Sequence, residues 1–153
     1  MSSPSPAPGL RLPAAQLTVL IGGEGQRRAV TGRIDAGSAR CGHGHDLPAV
    51  AVVTAGRRED LPTRLRALAR LAADRPAVVV AERVTDGLVA AERRTVLTAL
   101  RALAEDGTSV LVDDVDPVAA LAVAHAVLRV AADGSLEVEP ADLDRASWGQ
   151  LAS

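Results

Sequence analysis

The sequence predicts an α/β fold, a mainly parallel sheet with flanking helices, and three observations predict it. Short β-branched runs recur along the chain, at Leu17–Ile21, Ala49–Val53, Ala77–Val80 and Ser109–Val112. The segments between the later runs carry apolar residues at helical spacing, as βαβ units require. The composition is 48% hydrophobic yet holds no Phe, no Tyr and one Trp. Such a core is built from Val, Leu and Ala, as when strands buried on both faces are covered by Ala/Leu-rich helices.

The elements follow in order. Residues 1–14 are rich in Ser, Pro and Ala and read as a disordered tail before a single domain over 15–139, with a further tail over 140–153. Leu17-Thr18-Val19-Leu20-Ile21 is a buried strand that enters a tight turn at Gly22-Gly23. Gln26 to Ile34 suits a short helix, weakened by Thr31-Gly32, and the Gly- and His-rich stretch from Ala36 to Pro48 suits an irregular hairpin. After the second strand, Leu61 to Ala73 spaces Leu61, Leu65, Leu68 and Leu71 on one helical face and stops at Asp74-Arg75-Pro76. Leu88 to Ala104 is the longest helix, with Val89, Val96, Leu100 and Leu103 on one side and Gly107 beyond its end. A helix is expected from Pro117 to Ala126, with Pro at its start. The strands Val127–Ala131 and Leu136–Val138 flank the turn Ala132-Asp133-Gly134-Ser135. The tail beyond Pro140 suits a short amphipathic helix ending near Trp148.

Charge and cysteine usage exclude several classes. The net charge is −2, with no basic stripe for nucleic acid and no polybasic membrane anchor. No apolar run is long enough to span a bilayer, and the N-terminus has neither the charge nor the apolar stretch of a signal peptide. One Cys permits no internal disulfide and fits a reducing, cytoplasmic compartment. A metal reading is open at Cys41-Gly42-His43-Gly44-His45, where alternation on a strand would put Cys41, His43 and His45 on one face. The spacing i, i+2 on one strand seldom closes a tetrahedral site, so this stands third among the functional readings.

Several runs in the second half share order and spacing with one known family. Arg66 to Glu82, a helix leading into Ala77-Val78-Val79-Val80-Ala81-Glu82, resembles the helix and Walker B strand of ABC transporter ATP-binding domains. Asp86-Gly87-Leu88-Val89 and the following Glu92-Arg93-Arg94 resemble that family's D-loop, and Asp133-Gly134-Ser135-Leu136 its closing hairpin. Upstream, Asp35-Ala36-Gly37-Ser38 and Gly44-His45-Asp46-Leu47-Pro48 resemble the hairpin after the family's P-loop. The resemblance covers about residues 17–139 and implies a P-loop NTPase-like fold, an ABC ATPase core lacking most of the helical subdomain.

Where the family's chemistry should sit, the residues depart from the pattern. The phosphate loop aligns with Gly22-Gly23-Glu24-Gly25-Gln26-Arg27-Arg28-Ala29. Gly22 and Gly25 remain, Arg27 takes the place of a third Gly, Arg28 the place of the Lys, and Ala29 the place of the metal-binding hydroxyl. A guanidinium is no equivalent of the ammonium point charge that reaches a nucleotide's phosphates. Ala81 replaces the Walker B Asp, while Glu82 aligns with the glutamate that orients the attacking water. Val89 falls at the D-loop Asp after a one-residue shift, and Val115 at the switch His. Leu61-Pro62-Thr63-Arg64 stands in place of the signature, and no Gln follows the Ala49–Val53 strand.

The resemblance therefore implies an ABC ATP-binding-domain-like protein with little or no ATP hydrolysis, an accessory or partner subunit of a transport system. Its implied partners are a membrane permease or an intact nucleotide-binding subunit, without membrane insertion of its own and with no nucleic acid. The site residues it implies are Glu82, a relic of the catalytic glutamate, and Gly22, Gly25 and Arg28 in a degenerate phosphate loop. ATP is at most a weakly held cofactor. The competing reading is a weak but genuine ATP-binding or ATPase subunit. The arginines at 27 and 28 are expected to face solvent or an acidic neighbour such as Glu24 or Glu82, with the loop turning at Gly22 and Gly25.

Overall fold

The computed structural model describes residues 12–33, 50–114 and 117–141. The hairpin expected over 36–48, with Cys41, His43 and His45, lies outside the described residues. So do Val115, the helix expected before Trp148 and most of the N-terminal tail.

A six-stranded sheet carries the fold, in the order β2-β3-β4-β1-β5-β6. Its strands are β1 (Leu17–Ile21), β2 (Val50–Thr54), β3 (Val78–Glu82), β4 (Ser109–Asp113), β5 (Ala126–Val130) and β6 (Leu136–Pro140). All neighbours are parallel except β5 and β6, which form an antiparallel hairpin. Parallel neighbours need a crossover between them, and the helices α1 (Glu24–Arg33), α2 (Leu61–Asp74), α3 (Ala90–Glu105) and α4 (Pro117–Leu121) interleave with the strands accordingly. The α/β architecture expected from the sequence, a mainly parallel sheet with flanking helices, is the one observed.

The strands lack hydrophobic alternation because both faces of the sheet are covered. Leu17, Val19, Val79, Ala81, Val110, Val112 and Val127 share one core with Leu68 of α2, with Val96, Leu97 and Leu100 of α3 and with Leu121 of α4. Leu20, Val80, Leu111, Leu128 and Val130 point the other way and pack with Val30 of α1. β1 is central and buried from Leu17 to Leu20, whereas β2 is an edge strand that leaves Val52 exposed. Among the described residues no helix is long and apolar enough to cross a membrane.

Helix ends explain where the expected boundaries moved. α2 starts at Asp60, whose carboxylate accepts from the Thr63 backbone N–H at 3.0 Å and from the Thr63 hydroxyl at 2.6 Å. It ends at Arg75, left-handed with φ 47°, whose N–H returns to the Leu71 carbonyl. α3 starts two residues later than its apolar spacing suggested. Val89 is its N-cap and is 64% exposed rather than part of the buried stripe. α4 is much shorter than expected. After Leu121 the chain tightens, with Val123 N–H on the Ala120 carbonyl and Ala124 N–H on that of Leu121, the three-residue closure of a terminating helix. His125 thus lies at the threshold of β5, not in a helix, where its backbone N–H donates to the Leu17 carbonyl at 2.9 Å. It is half-buried, as expected of a residue at the edge of the core.

A buried arginine locks α2 in place. Arg64 is 3% exposed and donates through Nε to the Glu59 carbonyl, through Nη1 to that of Val84 and through Nη2 to that of Gly56. Its fork ties the helix to the chain after β2 and to the turn after β3. That turn is closed further by Gly87, at φ 81°, where an added Cβ would meet the Arg57 carbonyl oxygen at 2.6 Å.

Candidate functional site

In an open parallel sheet, ligands bind at the carboxyl ends of the strands. Here those ends surround a cleft of about 280 Å³ lined by Glu24, Arg27, Arg28, Thr31, Thr54, Glu82, Arg83 and Asp113. Register assembles its floor: Thr54 of β2 is paired with Glu82 of β3, and Glu82 with Asp113 of β4. Two carboxylates therefore stand on adjacent strands at one rim.

The opposite wall is the turn from β1 into α1. It is short, because helix begins at Glu24 and only Gly22 and Gly23 separate the two elements. Gly22 passes close to β5, and a Cβ there would meet Val130 at 3.1 Å. Gly25 does not form a second turn, contrary to the sequence-based expectation. It sits in the first turn of α1 with nothing within 4 Å of where a Cβ would be. The helix starts early because the Glu24 and Gln26 side chains serve its first turn. Gln26 accepts from the Gly23 N–H at 3.1 Å through Oε1 and donates to the Ala131 carbonyl at 3.0 Å through Nε2. An acidic residue at this end also suits the helix dipole.

Each of the arginines finds a carboxylate, Arg28 and Arg83 at the surface and Arg27 in a more enclosed place. Arg28 Nη2 donates to Glu24 Oε1 at 2.8 Å, and Arg83 Nη2 donates to the same oxygen at 3.1 Å. Arg27 turns back across the helix start: Nε donates to the Gly22 carbonyl at 3.1 Å and Nη1 to the Asp113 carboxylate. The Arg27 and Asp113 side chains are only 18% and 12% exposed, against 66% and 61% for Arg28 and Glu24. Glu82 makes no ion pair with a described residue, and Ala81 before it is fully buried in the core.

The site residues expected from the sequence, Gly22, Gly25, Arg28 and Glu82, all lie on or beside this cleft. Asp113 and Arg83 were missed. Arg83 is a left-handed non-glycine at φ 54°, a conformation that costs an L-residue about 1–2 kcal/mol, and its N–H donates to the Asp113 carbonyl at 3.0 Å. A signal for Asp113 did exist: it ends a buried strand at the rim where Glu82 ends the neighbouring one. Next to it, Asp114 is buried and accepts from the Thr85 hydroxyl at 2.7 and 2.8 Å, fixing the two rim turns to each other. Among the described residues no group of His, Cys, Asp and Glu is placed to hold a metal ion. The first turn of α2 carries the Asp60 carboxylate at its cap and a Pro behind it.

Similarity to known proteins is confined to three-dimensional structure. No family model and no curated protein matches the sequence. A component of the ABC transporter complex cbiONQ from Clostridium perfringens superposes with a TM-score of 0.60 at 11% identity, over 90% of this chain and 82% of that one. An ATP-binding subunit of an ABC transporter gives 0.56 at 13% identity, over 92% and 85%. A dimeric ATP-binding cassette in a post-hydrolysis state with ADP and Pi gives 0.57 at 13% identity, over 86% and 88%. The rim that carries the cleft thus belongs to a chain with the fold of ABC transporter ATP-binding subunits.

Proposed function

We propose that this chain is an ABC ATPase-like subunit that does not turn over ATP and serves a transport system as an accessory or partner protein in the cytoplasm. The observation that carries the reading is the Arg27 side chain laid from the Gly22 carbonyl to the Asp113 carboxylate, across the turn where a nucleotide's phosphates would need open backbone amides. Phosphoryl transfer is catalysed almost wholly by positioning and charge neutralisation. At this cleft the Gly23 N–H is already bonded to Gln26, Arg28 is paired with Glu24 at the surface, and Ala81 has no side-chain oxygen to offer a metal. Glu82 remains at the rim as a relic of a water-orienting base, with Gly22, Gly25 and Arg28 the remnant of a phosphate loop. Partners in keeping with this reading are a membrane permease or an intact nucleotide-binding subunit.

Steady-state ATP hydrolysis by the purified chain with Mg²⁺ tests the reading. The expected rate equals the buffer background and is unchanged in Glu82→Gln. A Mg²⁺-dependent rate abolished by Glu82→Gln would replace it with the competing one, a genuine ATPase subunit.

A further inference from the structure

We infer that Asp113 is a built-in counter-anion that keeps this cleft closed to oligophosphate ligands; the inference rests on the non-hydrolysing reading above. The cleft is lined by three guanidinium groups, Arg27, Arg28 and Arg83, and by three carboxylates, Glu24, Glu82 and Asp113. Three positive charges less three negative leave a formal charge of zero, so the whole-cleft field attracts no anion.

The carboxylates are not equivalent. Glu24 meets Arg28 and Arg83 in solvent, where both partners are more than two-fifths exposed, and such pairs are loose and screened by salt. Asp113 meets Arg27 where water is largely excluded from both. A partly desolvated guanidinium that loses its carboxylate must find another anion or remain uncompensated. Arg27 cannot simply swing away at no loss, because its Nε is also held by the Gly22 carbonyl at 3.1 Å. Its fork is therefore fixed at the helix start and aimed at one acceptor position, which Asp113 fills. A carboxylate oxygen and a phosphate oxygen are interchangeable acceptors for such a fork. Asp113 is tethered at the end of β4, so its effective concentration at that position exceeds any free anion's. Glu82, its register neighbour on β3, adds a second negative charge facing whatever would replace it.

Replacing Asp113 by the near-isosteric Asn raises the formal charge of the cleft to +1 and strips the fork of its ionic partner. The probe is inorganic pyrophosphate without metal, titrated by calorimetry at low ionic strength into the full-length wild type, Asp113→Asn, and Arg27→Ala/Asp113→Asn. Wild type is expected to give no measurable heat. Asp113→Asn is expected to bind on the order of tenfold more tightly or better, the scale of one added charge-assisted fork. The double variant is expected to lose the gain. An Asp113→Asn protein no better than wild type overturns the inference, and so does a double variant that binds as well as Asp113→Asn. Should Asp113→Asn not fold, the wild-type chain supplies a second readout by NMR. The Arg27 Nη1 hydrogens, which face Asp113, should exchange with solvent far more slowly than those of exposed Arg70, and equal rates overturn the inference. Mg²⁺-dependent hydrolysis by the wild type would end the underlying reading, whereas a silent Asp113→Asn beside an inactive wild type ends this inference alone.

Discussion

His125 closes the end of the central strand with a side chain. Its Nδ1 accepts from the Leu17 N–H at 3.0 Å while its own backbone N–H donates to the Leu17 carbonyl. That geometry assigns the neutral tautomer with hydrogen on Nε2, which faces Glu105 at 3.8 Å, beyond hydrogen-bond reach. His125→Ala leaves the Leu17 amide without an acceptor, and the expected loss is about 1–3 kcal/mol. Urea unfolding followed by far-ultraviolet dichroism measures it; a loss below about 0.5 kcal/mol would mean that water replaces the ring. The sequence offered no hint of this contact, because nothing in a local pattern relates position 17 to position 125. The cleft was legible to the same limited degree. Gly22, Arg28 and Glu82 were legible only through the resemblance of their runs to a phosphate loop and a Walker B strand. Asp113 matters through its register with Glu82 and its pairing with Arg27, which only the folded sheet brings about.

α2 shows what a cap contributes and how it responds to acid. Hydrogen bonds first from the Thr63 hydroxyl and then from its backbone N–H hold the Asp60 carboxyl below its ordinary value of 3.8. A carboxyl depressed in the folded state stabilises above the unfolded value and loses that contribution as pH falls through the folded one. Asp60→Ala is therefore expected to lower the urea midpoint at neutral pH. The gap from wild type should be constant down to about pH 5 and close as the pH drops below 3.8. A gap that persists unchanged in acid would show that the cap acts through shape and not charge. At this scale the sequence was informative where punctuation is explicit. Asp60-Leu61-Pro62 and Arg75-Pro76 frame α2 to within a residue. Between Val118 and Leu128 His125 alone interrupts an apolar run, and the structure breaks it at Ala122–His125. Propensity does not mark a helix end there; competition from pairing with β1 does.

The described residues form a sheet covered on both faces, with α3 at the middle of the larger layer. Leu97 and Leu100 are fully buried, and α3 touches both β1 and β4. Leu100→Ala is expected to cost about 2–5 kcal/mol, a large share of the 5–15 kcal/mol typical of a domain. Guanidinium denaturation of the variant checks it; a cost under about 1 kcal/mol would show that the layer collapses into the space left behind. Parallel order and fold class were legible because both depend on the repeating alternation of strand and helix, which survives errors at every boundary. The core that results contains no Phe, Tyr or Trp among its described residues, and His125 carries the sole imidazole there. The described core is thus optically quiet: none of its side chains fluoresces, and near-ultraviolet dichroism draws almost no signal from them. With His125 the one aromatic ring among the described residues, the Val, Leu and Ala methyl resonances of that core should crowd together, so narrow methyl dispersion there is no sign of a molten interior.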